Sequence, residues 1–131
     1  MRRRTRYFIL LMVLLTITVA SCEKFSGSND SITGLWRCDE ISGSRRYSVT
    51  INRSDIDTTY FVINNFHNLG QEIETYVQLK DSTITFLNIN SSYSISGKGV
   101  VRDNFSTIVW DYSISGSGVN DGYVRAYYYK K

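Results

Sequence analysis

From residue 34 to the end of the chain, apolar side chains return at every second position, and that period constrains the fold more than any other feature. An extended strand sends successive side chains to opposite faces, whereas a helix would group every third or fourth. In Tyr47-Ser48-Val49-Thr50-Ile51-Asn52 the apolar groups face one way and the polar ones the other, and Ile73-Glu74-Thr75-Tyr76-Val77-Gln78-Leu79 repeats the pattern. Ile108, Trp110, Tyr112 and Ile114 share a face in the same manner. β-Branched and aromatic residues dominate, as suits a pleated, half-buried surface. The spacing predicts an all-β domain with strands around 34–40, 45–53, 59–66, 73–80, 82–88, 92–103, 105–115 and 122–130. Proline is absent, so turns fall to Gly, Asn, Asp and Ser, as in Ser42-Gly43-Ser44 and Lys80-Asp81-Ser82. Short links make antiparallel neighbours. Eight half-wet strands in meander order lose their edges by closing into an eight-stranded antiparallel up-and-down β-barrel; a two-sheet sandwich has the same periodicity.

The chain ahead of this domain has another character. Arg2, Arg3, Arg4 and Arg6 precede the uncharged apolar run Tyr7 to Ala20, which ends in Val19-Ala20-Ser21-Cys22. A basic start, an apolar stretch too short to span a bilayer and small residues at its end predict an N-terminal signal helix over 1–21, removed on export. The tetrad with its cysteine resembles the lipobox of bacterial lipoproteins. That resemblance implies cleavage before Cys22 and lipid on its thiol and amine, so that the membrane is a partner through Cys22. Two or three acyl chains hold essentially permanently. Residues 22–33 (Cys22 followed by EKFSGSNDSIT) read as a flexible tether, leaving 34–131 as one domain with a modest core.

Cleavage changes the electrostatics. Losing the four arginines takes 15 Lys and Arg down to 11 against 12 Asp and Glu, so a net charge of +3 becomes −1. No basic excess is left to steer toward nucleic acid, and nucleic-acid binding is not expected. Cys38, left without a partner in an oxidising compartment, reads as a buried hydrophobe on a strand. The chain also carries one internal echo: Tyr93-Ser94-Ile95-Ser96-Gly97-Lys98-Gly99 recurs as Tyr112-Ser113-Ile114-Ser115-Gly116-Ser117-Gly118, which reads as two strands each ending in a Gly-x-Gly turn.

Thr33-Gly34-Leu35-Trp36, opening the first strand, resembles the Gly-x-Trp that begins lipocalins and other calycins. With the strand count, Asn64-Asn65-Phe66-His67-Asn68-Leu69-Gly70 and the glycine-rich strand ends, the chain looks like the small lipocalin-like lipoproteins of Gram-negative bacteria. The resemblance implies a lipocalin-like barrel in the cell envelope, lipid-anchored at the outer membrane. It also implies a barrel-end plug in which an arginine of the last strand, here Arg125, packs over Trp36 beside Gly34.

No catalytic constellation accompanies this. His67, the only histidine, reads as a solvated turn residue, with no cysteine or carboxylate at zinc-ligand spacing. Asp55 and Asp57 read as an ordinary hairpin loop, and Asp39 and Glu40 alternate faces. No Gly-x-Ser-x-Gly elbow precedes a helix. The chain is expected to be no enzyme and to need no metal or cofactor. Tyrosine is the surplus, nine of ten falling after the signal. On the last strand Tyr123, Arg125, Tyr127 and Tyr129 share one face, and Val124, Ala126 and Tyr128 the other. If the first face points inward, Arg125 can cap Trp36; if outward, Tyr123, Tyr127 and Tyr129 form an interface-like stripe. The expected function is non-catalytic binding: a small hydrophobic ligand in the barrel mouth, or a protein or glycan on an outer aromatic surface, including an inhibitor-type role against a cell-wall enzyme.

Overall fold

The computed structural model describes residues 31–89 and 91–131; the signal helix over 1–21, the Val19, Ala20, Ser21 cleavage site, Cys22 and most of the tether lie outside the described residues. Eight strands follow one another: β1 (Gly34–Glu40), β2 (Arg45–Arg53), β3 (Tyr60–Asn64), β4 (Glu74–Lys80), β5 (Thr83–Phe86), β6 (Ser94–Arg102), β7 (Thr107–Gly116) and β8 (Val119–Lys130). Each pairs antiparallel with the next, and β8 returns to β1 through Trp36↔Lys130 to Glu40↔Ala126, closing the barrel. Closure settles barrel against sandwich.

The period-two faces become inside and outside. Trp36 and Cys38 from β1, Val49 and Ile51 from β2, Ile63 from β3, Val77 from β4, Ile84 from β5, Trp110 from β7 and Ala126 from β8 are all fully buried. A barrel of eight strands is just wide enough for side chains to fill. Here Trp36, Trp110, Tyr128 and Phe66 are the largest of the side chains that do so, each with at most 1 % exposure. Trp110 packs across Gly99, its register partner; a Cβ at Gly99 would come within 2.8 Å of the indole. Gly97, at φ +134°, lets β6 press on β7, and a Cβ there would sit 2.2 Å from the Asp111 carbonyl oxygen. The first copy of the sequence echo is therefore not a turn: Gly97 and Gly99 lie inside β6, where the backbone must approach its neighbour closely. Only the second copy, at Ser117 (φ 45°) and Gly118 (φ 83°), makes one.

Both barrel ends are covered. At one end residues 31–33 cross the opening: Ile32 is fully buried, and Trp36 Nε1 donates to its carbonyl at 2.9 Å. At the other, the β3–β4 connection folds inward as a short 3-10 turn, Phe66–Asn68.

Candidate functional site

The capping turn is built from residues that tolerate left-handed backbone. Asn65, His67 and Asn68 have φ of 66°, 54° and 56°, a region in which Asn and His are enriched among non-glycine residues. The Asn65 side chain fixes the loop, donating to the Ser48 carbonyl at 2.8 Å and accepting from Gly70 N–H at 2.9 Å. That geometry drives Phe66 into the barrel against Phe86 (5.2 Å between centroids), Trp110 (5.4 Å) and Tyr112 (4.8 Å). Trp110 Nε1 is buried there without a hydrogen-bond acceptor, and the surrounding ring faces offer only weak ones.

His67 departs from its expected place in a solvated turn: only 3 % of it is exposed. The ring lies at the rim between three strands. Its Nε2 is 2.7 Å from Asp121 Oδ2 on β8, and Nδ1 is 2.7 Å from the Tyr112 hydroxyl on β7. Arg45 Nη2 lies 3.3 Å from the same Nε2 and can only donate, whereas a carboxylate at Asp121 can only accept; the tautomer with the proton on Nε2 serves the shorter Asp121 contact and leaves Nδ1 to accept from Tyr112. Beside it lies Glu40 of β1, whose side chain is 3 % exposed and whose Oε2 is 3.7 Å from His67 Nδ1. Arg45 of β2 donates from Nη2 to both Glu40 oxygens at 3.1 and 2.9 Å, and Tyr47 donates to Oε2 at 3.2 Å. The His67 half of this network leaves no local trace in the sequence, because the ring is 22, 45 and 54 residues from Arg45, Tyr112 and Asp121, whereas Glu40, Arg45 and Tyr47 come from the two strands of one hairpin. Burial raises the Tyr112 and Tyr47 hydroxyls well above the ordinary tyrosine range and pushes the Cys38 thiol up to about 12, so all three hold their protons at neutral pH. Among the described residues no group of three His, Cys, Asp or Glu side chains could hold a metal ion. The cluster is internally paired, and its chemistry is that of a latch across the barrel rim. A cleft of about 440 Å³ opens beside it, lined by Arg45, His67, Leu69 and Asp121 with hairpin backbone; it does not reach Trp36, Trp110 or Phe66.

The last strand turns its small-residue face inward, with Val124, Ala126 and Tyr128 buried. This moves Arg125 out of the barrel-end plug that the resemblance implied. Its guanidinium lies on the outer surface, donating to Asp111 through Nε at 2.8 Å and Nη2 at 2.9 Å. The cation over Trp36 is Lys130, with Nζ 5.5 Å from the ring centroid and donating to the Ser31 carbonyl at 2.7 Å. Gly34, at φ +133°, stands beside it with the Lys130 chain 3.5 Å from where a Cβ would be. The reason is register: Lys130 pairs directly with Trp36, whereas Arg125 lies in the middle of β8 on its outer face, paired with Asp111.

Tyr123, Tyr127 and Tyr129 consequently line the outer wall. Tyr127 and Tyr129 hold their rings nearly parallel, at 14° and 6.5 Å between centroids, and the Arg37 guanidinium lies 5.0 Å from the Tyr129 centroid. Tyr123, 63 % exposed, donates its hydroxyl to Asp111 at 2.8 Å. Arg46 donates to Asp39 at 2.8 Å. The tyrosine and guanidinium planes are thus set before any partner arrives. Hydrogen bonds from Arg125 first, then Tyr123, hold the Asp111 carboxyl below the usual carboxylate range. A depressed folded-state value contributes stability above the unfolded value near 3.9 and loses it as pH falls through the folded one. Asp111→Asn should therefore flatten the acid limb of the unfolding midpoint below about pH 4, modestly, because the pair is solvent-screened; an unchanged limb in a pH series of thermal melts counts against the pairing.

A scan against protein-family models and searches of curated proteins and solved structures found nothing that matches the chain.

Proposed function

We propose that this chain is a lipid-anchored, non-catalytic binding module of the cell envelope that engages its partner on the outer wall formed by β1, β8 and β7. The observation that carries the reading is the orientation of β8: the aromatic and guanidinium side chains Tyr123, Arg125, Tyr127 and Tyr129 face out, while the interior is occupied by Trp36, Trp110, Tyr128 and Phe66. Preset aromatic and arginine side chains lose little conformational freedom on binding, which is how such residues come to dominate interfaces. A small hydrophobic ligand in the barrel mouth, the other occupant that the sequence suggests, would have to expel Phe66 from its aromatic contacts. The anchor rests on the tetrad ending at Cys22.

Two variants made in cells test this reading. Cys22→Ala should move the protein from the membrane pellet to the soluble fraction, and full retention in the pellet would sink the lipid anchor. Tyr127→Ala with Tyr129→Ala should keep the unfolding midpoint within a few degrees and abolish chemical crosslinking of the protein to other envelope components. Unchanged crosslinking in a folded double variant would remove the outer wall as the binding surface.

A further inference from the structure

The described barrel is electrically balanced, with ten Lys and Arg against ten Asp and Glu, yet the balance is not local. On the outward positions of β6, β7, β8, β1 and β2, together with the terminal Lys131, the cations are Arg37, Arg46, Lys98, Arg102, Arg125 and Lys131. Only Asp39 and Asp111 oppose them. Of the other eight acids, Asp103 follows Arg102 in the β6–β7 turn at the end of the wall, Glu40 and Asp121 meet His67 at the capped rim, and Glu72, Glu74, Asp55, Asp57 and Asp81 lie on β4 and the loops. The wall therefore carries a positive field that neither the whole-chain charge nor the mature net charge discloses.

Strand register arranges that charge in a row. Arg102 pairs with Thr107, Thr107 with Tyr129, Tyr129 with Arg37, and Arg37 with Ser48, to whose hydroxyl Lys131 Nζ donates at 2.9 Å. With strands about 4.8 Å apart, the three steps from Arg102 to Arg37 span roughly 14 Å across the strands. The Tyr129 ring stands between the two arginines, and Tyr127 stacks beside it from the next row, which runs Val100, Val109, Tyr127, Asp39, Arg46. Several of these cations still have donors to give. Among the described residues Arg37, Lys98 and Arg102 donate no side-chain hydrogen bond, and Arg37 Nε is buried without an acceptor, its nearest carboxylate oxygen being 3.5 Å away and already taken by Arg46.

We propose that the partner on this wall is an acidic polysaccharide, a chain of sugar rings bearing carboxylates; this rests on the outer-wall reading above and names its ligand class. Parallel tyrosine faces suit the C–H faces of sugar rings. Unsaturated guanidinium forks on either side suit carboxylates, which they can take in bidentate geometry. Among exposed large aliphatic side chains the row offers only Leu35 at its margin, with Ile41 and Ile56 on loops elsewhere. A surface meant to enter a bilayer, or to fill a protein hot-spot pocket, would carry more apolar reach.

The test uses the detergent-solubilised full chain and isothermal titration at physiological salt with four probes: oligogalacturonate, an uncharged oligosaccharide of equal length, vesicles containing phosphatidylglycerol, and a single-stranded oligonucleotide. Oligogalacturonate should bind at least about tenfold more tightly than the others, the factor expected from one charge-assisted hydrogen bond. Arg37→Gln and Arg102→Gln should each weaken it by about tenfold, and Tyr127→Ala with Tyr129→Ala by at least as much, with unfolding midpoints unchanged. Equal binding of the uncharged sugar, preference for vesicles or oligonucleotide, or indifference to the arginine variants overturns the proposal. If no sugar binds while the tyrosine pair still governs crosslinking in cells, the acidic glycan is wrong and the outer wall stands; if crosslinking is also indifferent to the tyrosines, both fall.

Discussion

Phe66→Ala is expected to lower stability by about 3–5 kcal/mol, the range for truncating a buried aromatic that leaves a cavity. Phe66 is fully buried, although it belongs to a loop, and its ring touches Phe86, Trp110 and Tyr112, which otherwise close the same end of the barrel. The neighbouring backbone gives it little room to readjust, because Asn65 and His67 on either side are left-handed and Asn65 is tied to Ser48 and Gly70. Urea unfolding measures the loss. The same variant should bind a fluorescent apolar probe more tightly than the native protein does, since the space left is lined by aromatic rings. A loss below about 1 kcal/mol, the size typical of an ordinary single substitution, would mean that the cap is not part of the core.

The second large effect concerns Glu40. Removing one partner of a buried ion pair strands the other, which costs about 3–5 kcal/mol, whereas replacing both by apolar groups is often neutral. Arg45→Ala leaves a carboxylate that is 3 % exposed with only the Tyr47 hydroxyl and the more distant His67. About 3 kcal/mol is expected, the low end of that range, because Arg45 is itself 41 % exposed and water can replace part of it. Glu40→Met combined with Arg45→Met should recover most of the loss. The double-variant cycle checks this directly: if the two single losses simply add, the pair is not coupled and the rim network does not act as a unit.

How much of this was legible in the sequence depends on how local the deciding contact is. Alternation gave all eight strands, with β1 and β2 matching their expected bounds, because a face that must be dry writes itself into every second residue. The third strand ends at Asn64, two residues before its expected bound at Phe66: Phe66 is three positions after the inward Ile63, out of phase with the alternation, and reaches the interior only because the chain turns left-handed at Asn65. The wall of β8 was ambiguous for a different reason. Both of its faces are aromatic, and only closure against β1, with Trp36 and Trp110 already filling the interior, leaves room for Val124, Ala126 and Tyr128 and no room for three tyrosines and an arginine. The same closure sets Lys130 over Trp36 in place of Arg125. His67 was least legible. Its partners Tyr112 and Asp121 are 45 and 54 residues away, and the local signal, an asparagine-rich turn, reports only that the backbone can go left-handed.

On the reading proposed above, the outside of β1, β8 and β7 meets the partner and the interior does not. Photo-crosslinking in intact cells addresses that claim most directly, with a photoreactive phenylalanine placed in turn at Tyr127, at Tyr123, at Thr85 on the outside of β5, and at Asn68 on the capped rim. Adducts from positions 127 and 123, with none from 85 or 68, are the predicted result. Adducts arising only from position 68, or equally from all four, would contradict it.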